Sequence, residues 1–422
     1  MSALQDAVAA AKAGRIEQAE ELCAAILAQT PGHMTARLLA ANLAVSARKP
    51  ATAAAHLHHL IQDPQAAGDI LHQAGLLLRQ CGDASGAVRA LERSLKNSSN
   101  SFAALLDLAD AQQAAGDTDA ALRNYDLAIE VNPGQATAFS RRAMILLRAR
   151  FGDPRAITRS GTGHRGMITM RTLGDNGRFA NQLFQYAFLR CYARVHDLEV
   201  QVPDWVGAWL FDLDDPHISA ALPIARESPD LAASLRPGSS TGASDCDFQG
   251  YFCFHTRAYE PHRDFIRSLF RPGWKFAGPL SEIVNALRPG GRTLVTIHLR
   301  RGDFGYGKFW IAPESWYRAW LDELWPTLEN PVLYIATDEP AVMGAFADYR
   351  PIGHENIAPI VPGLAFIEDF FILSQADVLA ISNSTFSFFA ALLNTRATTF
   401  ARPDPKAEKL VGFDPWASEV LL

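Results

Sequence analysis

Cysteine is scarce in this sequence, and the few cysteines are not paired. The 422 residues contain five cysteines, and none of them form a Cys-x-x-Cys pair. Disulfide-stapled domains and zinc ribbons need denser and more regularly spaced cysteines than this. The composition therefore argues against both classes and favours a reducing compartment.

Long hydrophobic runs and a basic excess are also lacking. No stretch reaches the roughly 18 apolar residues expected of a membrane-spanning helix, and the N-terminus carries early acidic residues, unlike a signal peptide. The net charge of −6 argues against a nucleic-acid-binding protein, which needs a basic surface. We expect a cytoplasmic protein without a transmembrane segment, and peripheral association with the inner membrane stays open.

Tryptophan is missing from the first 200 residues, although the chain contains eight. The first 150 residues are instead rich in Ala, Leu and Gln, while residues 151–166 are dense in Gly, Pro, Ser and Arg. Such a segment is typical of a linker. We therefore predict a first domain over 1–150, a linker over 151–166 and a second domain over 167–422, with halves at 167–290 and 291–422.

The first domain repeats with a period of 34 residues. The period is kept by four alanines, which are Ala19, Ala53, Ala87 and Ala121, and by four turn positions, which are Gly14, Arg48, Gly82 and Gly116. Paired helices at this spacing resemble tetratricopeptide repeats. We expect a helical solenoid closed by a capping helix over 136–150, with a plain helical bundle as the alternative. Such a stack binds a protein partner or a second copy of itself.

From residue 167 onward, short alternating strands are interspersed with helical stretches. Strands are predicted at 167–172, 294–299, 332–337, 378–382 and 398–401, and helices at 179–195, 315–325 and 386–393. This alternation predicts an α/β fold with parallel sheets. Ligands of such sheets bind beyond the carboxyl ends of the strands.

Four polar clusters follow four of these predicted strands, at residues 177–182, 298–303, 337–339 and 382–387. Adjacent arginines hold phosphate groups with charge-assisted bonds, and hydroxyls at a helix N-terminus form an anion site. Together the clusters predict a pocket for a nucleoside diphosphate. The pairs Asp212 and Asp214, and Asp245 and Asp247, leave a magnesium site as a second hypothesis.

Three of these segments resemble the α-1,2-fucosyltransferase family, glycosyltransferase family 11. The segments read GRFANQLFQYAF, HLRRGDF and ISNSTFSFFAALLN, and the first also resembles a loop of the protein O-fucosyltransferases. The resemblance covers roughly residues 167–422. It implies a GT-B architecture of two Rossmann-like halves, GDP-fucose as donor, inversion at the anomeric carbon and no metal cofactor.

The resemblance also assigns roles to residues. Catalysis falls to Arg300 and Arg301, which hold the GDP phosphates, and to Asp303, which braces them. Ser384, Thr385 and Phe386 belong to the β-phosphate site. Further donor-binding positions are His298 beside the same loop, Asp338 toward guanine or ribose, Asn383, and Arg178 and Asn181 from the other half.

The sequence departs from the family at three positions, which leaves the acceptor and the exact sugar open. Ala180 stands where bacterial members usually have glycine, Phe388-Phe389 replaces a tryptophan pair, and Cys253 ends a motif that is commonly Gly-Tyr-Phe-Gln. The candidates for the general base are Glu260, Asp303 and Asp369.

Three functions are compatible with the sequence. One is a fucosyltransferase acting on a glycan. A second is a transferase that uses another nucleotide-activated deoxysugar or a protein acceptor. The third is a repeat scaffold with an inactive transferase domain.

Overall fold

The computed structural model describes residues 3–97, 101–152, 164–239 and 242–422. The chain divides into two compact units, Met1–Arg142 (unit 1) and Ala143–Leu422 (unit 2). The boundary falls inside a helix, eight residues before the predicted end of the first domain. Of the predicted linker, residues 153–163 lie outside the described residues.

Unit 1 is built from antiparallel helix pairs, and the prediction of an N-terminal helical repeat is confirmed. The helices are α1 (Ala3–Lys12), α2 (Ile16–Gln29), α3 (Met34–Ser46), α4 (Pro50–Gln62), α5 (Gly68–Gln80), α6 (Ala84–Asn97), α7 (Phe102–Ala114) and α8 (Thr118–Val131), followed by α9 (Ala136–Phe151), which contains the unit boundary.

The repeat works because small side chains stand where two helices touch. The alanines at 34-residue spacing, Ala19, Ala53, Ala87 and Ala121, are fully buried. Gly75 of α5 lies so close to α6 that a Cβ atom there would sit 2.6 Å from Cγ of Leu91. A larger residue at these positions would push the helices apart, so the sequence period and the packing period coincide.

Unit 2 contains two sheets. Sheet A is fully parallel, with the order β2-β1-β4-β3, where β1 is Met167–Thr169, β2 is Glu199–Gln201, β3 is Ile224–Arg226 and β4 is Cys246–Gln249. Sheet B has the order β6-β5-β7-β8-β9, where β5 is Leu294–Leu299, β6 is Val332–Thr337, β7 is Val378–Ala380, β8 is Thr399–Asp404 and β9 is Lys409–Gly412. Only the last pair, β8 with β9, is antiparallel in sheet B.

Helices cover these sheets and carry the segments that matter below. They are α10 (Phe179–His196), α11 (Val206–Leu210), α12 (Pro229–Ser234), α13 (Arg263–Leu269), α14 (Trp274–Leu287), α15 (Glu314–Leu324), α16 (Phe366–Ser374) and α17 (Thr385–Leu393). Parallel strands with covering helices agree with the predicted α/β class. Among the described helices of both units, none has the length and apolar character needed to span a bilayer.

Aromatic packing joins the part of unit 2 that carries sheet A to the part that carries sheet B. Phe184 of α10 meets Phe389 of α17 edge to face, with ring centroids 4.8 Å apart. Phe179, the first residue of α10, packs on Phe370 of α16 at 5.2 Å, and Phe370 packs on Phe386 at 5.5 Å. The helices that begin near the strand ends therefore share one core.

Arg48 marks a weak point of the repeat. The turn glycines Gly14, Gly82 and Gly116 have φ angles of 74°, 81° and 87°, and Arg48 takes the equivalent position at φ 56°. A residue with a Cβ atom pays a steric cost of about 1 kcal/mol in this left-handed region. The second repeat is therefore held in a strained turn.

We expect Arg48→Gly to raise the free energy of unfolding of unit 1 by about 0.5–1 kcal/mol, because the glycine removes the steric cost of the Cβ atom. Denaturant unfolding followed by far-ultraviolet circular dichroism measures the change. Arg48→Ala is the control, since it shortens the side chain but keeps the Cβ atom. Equal stabilisation by both variants would show that the guanidinium, not the backbone strain, is responsible.

Candidate functional site

The polar segments of sheet B meet where the strand order reverses. The chain leaves β5 toward β6 on one side of the sheet and leaves β7 toward β8 on the other. The carboxyl ends of two such neighbouring strands open a crevice, which is where ligands of open α/β sheets bind. The predicted clusters at 298–303 and 382–387 lie at or just beyond these two strand ends, β5 ending at Leu299 and β7 at Ala380.

Arg300 is held between two carboxylates. Its Nη1 lies 2.8 Å from Oδ2 of Asp338, and its Nη2 donates to Asp303. The other oxygen of Asp338 accepts the backbone N–H of Arg301 at 2.8 Å. A Cβ atom on Gly302 would lie 2.5 Å from Oδ2 of Asp338, so the glycine allows this close approach. The contacts of Asp338 are those of a positioning residue, and its contact with guanine or ribose stays a prediction.

Arg301 has different partners from Arg300. Its side chain is buried, its Nη1 donates to the carbonyl of Ala312 at 2.7 Å, and its Nη2 lies 2.7 Å from Oε1 of Glu314. The two arginines therefore differ in their surroundings, because the guanidinium of Arg301 also contacts the segment that leads into α15. A shared role of the pair in binding a diphosphate stays a prediction. Arg300 is the better placed of the two for a ligand.

His298 is the last inward-facing residue of β5 and is buried beneath the N-terminus of α17. Its Nδ1 lies 2.8 Å from the hydroxyl oxygens of both Ser387 and Ser382, and its ring packs on Phe386 at 5.2 Å. Burial lowers the pKa of His298 from 6.5 to about 4, against a small opposing effect of Asp338. The imidazole is therefore neutral at physiological pH and ties β5 to α17.

The N-terminus of α17 presents hydrogen-bond donors beside this histidine. Ser384 is the N-cap, and its Oγ accepts the backbone N–H of Phe386 at 3.3 Å. Thr385 is the first helical residue and is partly buried. Asn383 donates to the carbonyl of Lys308 at 2.8 Å and accepts the N–H of Leu422 at 2.8 Å. Asn383 thus shapes the loop, and the helix end has the donor chemistry that suits an anion, whose binding there stays a prediction.

Sheet A contributes one arginine to the same cluster. Arg178 is the N-cap of α10, and its Nη2 lies 3.2 Å from Oδ2 of Asp303. The loop before it is held by Gln182, which donates to the carbonyls of Gly174 and Gly177 at 3.1 and 3.0 Å. Asn181 lies in the first turn of α10 against Gly177. The structure thus brings Arg178 together with Arg300 and Asp303, whereas the glutamine was not singled out from the sequence.

The charges of the cluster balance. Arg178, Arg300 and Arg301 face three carboxylates, which belong to Asp303, Glu314 and Asp338. Each arginine carries five N–H donors, so an arginine with two carboxylate contacts still has donors for a phosphate group. The carboxylates orient the arginines before a ligand arrives.

The three candidates for a general base have different surroundings. Asp303 is paired with two arginines, and Glu260 is half exposed and lies 3.4 Å from Arg263. Asp369 is buried, accepts the hydroxyl of Tyr334 at 2.5 Å, and has its pKa raised by burial to about 7. Asp303 is thus committed to the arginines, and Asp369 is shielded from solvent.

The acidic pairs suggested as a magnesium site have structural partners. Asp247 is fully buried and accepts the hydroxyl of Thr169 at 2.7 Å and the backbone N–H of Arg171 at 2.8 Å. Asp212 accepts the N–H of Trp274 at 2.8 Å. Within the described ranges, no group of three or more His, Cys, Asp or Glu side chains is arranged to hold a metal ion.

A cavity of about 440 Å³ lies elsewhere in unit 2, between α13, α14 and α16. Its walls combine phenylalanines, among them Phe179, Phe270 and Phe370, with charged side chains, which are Asp264, Arg267 and Arg271. None of the predicted site residues lines it. The polar crevice, which gathers the predicted site residues, is the candidate site considered below.

Comparison with known proteins finds similarity in structure alone. No protein-family model and no curated protein sequence matches the chain. One similar solved structure is MamA, with 16% identity over 35% of this chain and 86% of that chain and a TM-score of 0.31. Another is YrrB, described as a TPR protein with an unusual peptide-binding site, with 20% identity over 35% of this chain and 76% of that chain and a TM-score of 0.32. PilF of Pseudomonas aeruginosa is a third, with 14% identity over 44% of this chain and 80% of that chain and a TM-score of 0.31.

We expect His298 to make unit 2 less stable as the pH falls from 6.5 to 4. The unfolded chain binds a proton on this histidine below pH 6.5, whereas the folded chain does so only near pH 4, so acid favours unfolding. The loss reaches about 3 kcal/mol. Urea unfolding followed by tryptophan fluorescence reports on unit 2, which contains all eight tryptophans. His298→Gln is the reference, and parallel curves for the two proteins would contradict the expectation.

Proposed function

We propose that unit 2 is an inverting glycosyltransferase that moves fucose from GDP-fucose to a hydroxyl group of a glycan. One observation carries the proposal: Arg178, from the loop after β1, and Arg300, directly after β5, contact the same carboxylate, Asp303. Two of the three sequence motifs that resemble the fucosyltransferase family supply these residues. The chemistry of the crevice suits a diphosphate flanked by two sheets.

In this mechanism, the acceptor oxygen attacks the anomeric carbon while the bond to the β-phosphate oxygen breaks. Negative charge grows on that oxygen, and preoriented donors aimed at it lower the barrier. Arg300 and Arg178 are oriented by Asp303, and the backbone N–H groups of α17 need no rearrangement. In the proposal, these groups neutralise the leaving nucleotide in place of a metal ion.

Two alternatives differ in substrate or activity. A transferase for another nucleotide-activated deoxysugar, or for a protein acceptor, uses the same phosphate chemistry. A repeat scaffold with an inactive transferase domain does not need the arginine network to be intact. The presence of Arg300 with both orienting carboxylates favours an active enzyme.

In the proposal, unit 1 recruits the acceptor-bearing protein or a second copy of the chain. Its helices α5 and α7 carry polar pairs between repeats, with His72 Nε2 2.8 Å from Asp107 Oδ2 and Arg79 Nη1 2.7 Å from Asp110 Oδ2. Such pairs give a helical surface both polarity and rigidity, which suit recognition of a charged partner.

We expect the protein to bind GDP in preference to UDP and ADP, with the same affinity in EDTA. Isothermal titration calorimetry of the full chain measures the dissociation constants. Arg300→Ala removes charge-assisted hydrogen bonds and is expected to weaken GDP binding at least about tenfold. Arg318→Ala is the matched control, since this arginine of α15 pairs with Asp348 away from the crevice.

Other outcomes distinguish the alternatives. A preference for UDP would indicate a UDP-sugar as the donor. Loss of nucleotide binding in EDTA would indicate that binding needs a metal ion. Failure to bind any of the three nucleotides would favour the repeat scaffold. Equal losses in both arginine variants would show that the effect is not specific to the crevice.

A further inference from the structure

A second group of residues lies at the carboxyl ends of sheet A, facing the arginine cluster. Glu227 directly follows β3, Tyr251 lies two residues after β4, and Gly177 precedes Arg178 in the loop after β1. Strands β1, β4 and β3 are parallel neighbours, so these three segments meet at one edge of the sheet. The donor chemistry described above uses Arg178 from this edge but neither Glu227 nor Tyr251.

Glu227 is an exposed carboxylate held by one of its two oxygens. Its Oε2 accepts the backbone N–H of Tyr251 at 2.7 Å, and its own N–H donates to the carbonyl of Gln249 at 2.8 Å. A Cβ atom on Gly250 would lie 2.5 Å from Oε2, so the glycine permits this approach. In the part of the chain that the structure describes, Oε1 has no hydrogen-bond or ion-pair partner.

Tyr251 is an exposed aromatic residue beside the arginine loop. Its side chain is 47% exposed, and a Cβ atom on Gly177 would lie 2.8 Å from its Cε1. Gly177 has φ 80° and is followed by Arg178, whose guanidinium pairs with Asp303. The tyrosine ring therefore lies next to the edge of the proposed phosphate site, with much of its surface open to a ligand.

The backbone behind Tyr251 is strained and firmly held. Phe252 has φ 55°, which is rare for a bulky residue. Its buried ring stacks on Phe188 with centroids 4.0 Å apart, and its carbonyl accepts the hydroxyl of Tyr259 at 2.6 Å. Strain of this kind persists only where the surroundings impose it, and it clusters at ligand sites. Here it fixes the direction of the neighbouring Tyr251.

A cation from sheet B acts on the same segment. Burial and the charge of Glu227 raise the thiol pKa of Cys253, and the positive charge of Lys308 offsets part of this rise. Lys308 belongs to the loop after β5, in which Tyr306 is 63% exposed. Opposite charges from the two sheets thus act on one segment, as expected of a cleft between them.

We propose that Glu227 and Tyr251 form the binding site for the acceptor sugar, with Tyr251 stacking on the sugar ring and Glu227 as the general base. This inference rests on the proposed glycosyl transfer. A pyranose has an apolar C–H face that packs on an aromatic ring and hydroxyl groups that a carboxylate accepts. Glu227 is exposed and keeps one carboxylate oxygen available, whereas Asp303 is paired with two arginines and Asp369 is buried.

The transfer step balances as follows. The acceptor oxygen forms a bond to the anomeric carbon, and its proton passes to Oε1 of Glu227. The bond between the anomeric carbon and the β-phosphate oxygen breaks, and its electron pair leaves on the nucleoside diphosphate. In this step, Arg178 and Arg300 stabilise the charge on the leaving group, while Glu227 takes the proton of the acceptor.

Binding is tested first, without any nucleotide. The probe is a panel of free β-galactosides, N-acetylglucosaminides and mannosides, followed by saturation-transfer difference NMR on the full chain. We expect the wild type and Tyr251→Phe to bind at least one of them, and Tyr251→Ala to lose the signal. Absence of binding to the wild type, or binding that survives in Tyr251→Ala, would overturn the acceptor site.

Catalysis is tested with the saccharide that binds. We expect Tyr251→Ala to raise the acceptor KM at least about tenfold, and Glu227→Gln to lower kcat about 10²–10⁴-fold with little change in KM. Both variants keep the wild-type dissociation constant for GDP. Asp230→Asn, an exposed carboxylate of α12, is the matched control for charge and is expected to behave as the wild type.

The outcomes separate this inference from the proposed function. If the wild type fails to bind GDP, the proposed donor chemistry is wrong, whatever the saccharide result. If GDP binds and sugar is transferred, but Glu227→Gln keeps the wild-type kcat, then Glu227 is not the base. Loss of GDP affinity in either variant would place the residue in the donor site and would also overturn the inference.

Discussion

The arrangement of unit 2 depends on the apolar packing of α10 against α16 and α17. Phe179, Phe370 and Phe386 follow one another from the start of α10 to the ring of His298, and Phe184 meets Phe389 one turn further along. Aromatic pairs of this kind add about 0.5–1.5 kcal/mol each beyond their buried area. Because α10 begins directly after Arg178 and α17 begins shortly after β7, their packing helps to position Arg178 relative to the ends of the sheet B strands. The polar crevice is thus positioned by an apolar core.

The crevice uses charge balance to hold its cations ready. Arginines that faced each other without counter-ions would repel, and their side chains would lose orientation. Asp303 contacts both Arg178 and Arg300, while Asp338 contacts Arg300 and the backbone of Arg301. A phosphate group that enters meets guanidinium groups already in place, so little reorganisation opposes binding or the development of charge. His298 is buried and neutral, so it adds a structural contact to the crevice without adding a charge that would need a counter-ion.

Local sequence patterns predicted several strands and helices well, but they did not predict the contacts between side chains. Strands at 294–299 and 332–337 were predicted with their observed bounds, because a run of β-branched and apolar residues between polar ends is a complete local signal. The start of α10 at Phe179 also agrees with the prediction, whereas β1 and β7 are shorter than expected. Arg300 and Arg301 are neighbours in sequence, yet their side chains have different partners. Arg300 contacts Asp338, which follows β6, and Arg301 contacts Glu314, the first residue of α15. No pattern near the arginines encodes that choice.

The sequence by itself determined the 34-residue helical repeat, the α/β class of the second unit and the set of polar strand ends. These features follow from periodicity, turn chemistry and small residues at close contacts, all of which act over a few tens of residues. Only the tertiary structure decided that Arg178 reaches Asp303, that Arg301 turns away, and that Glu227 meets Tyr251. The first and the third depend on strand order and join residues more than 20 positions apart, while Arg301 contacts Glu314, 13 positions along the chain. Contacts between distant segments decide which of several similar side chains come together, and local sequence does not encode those contacts.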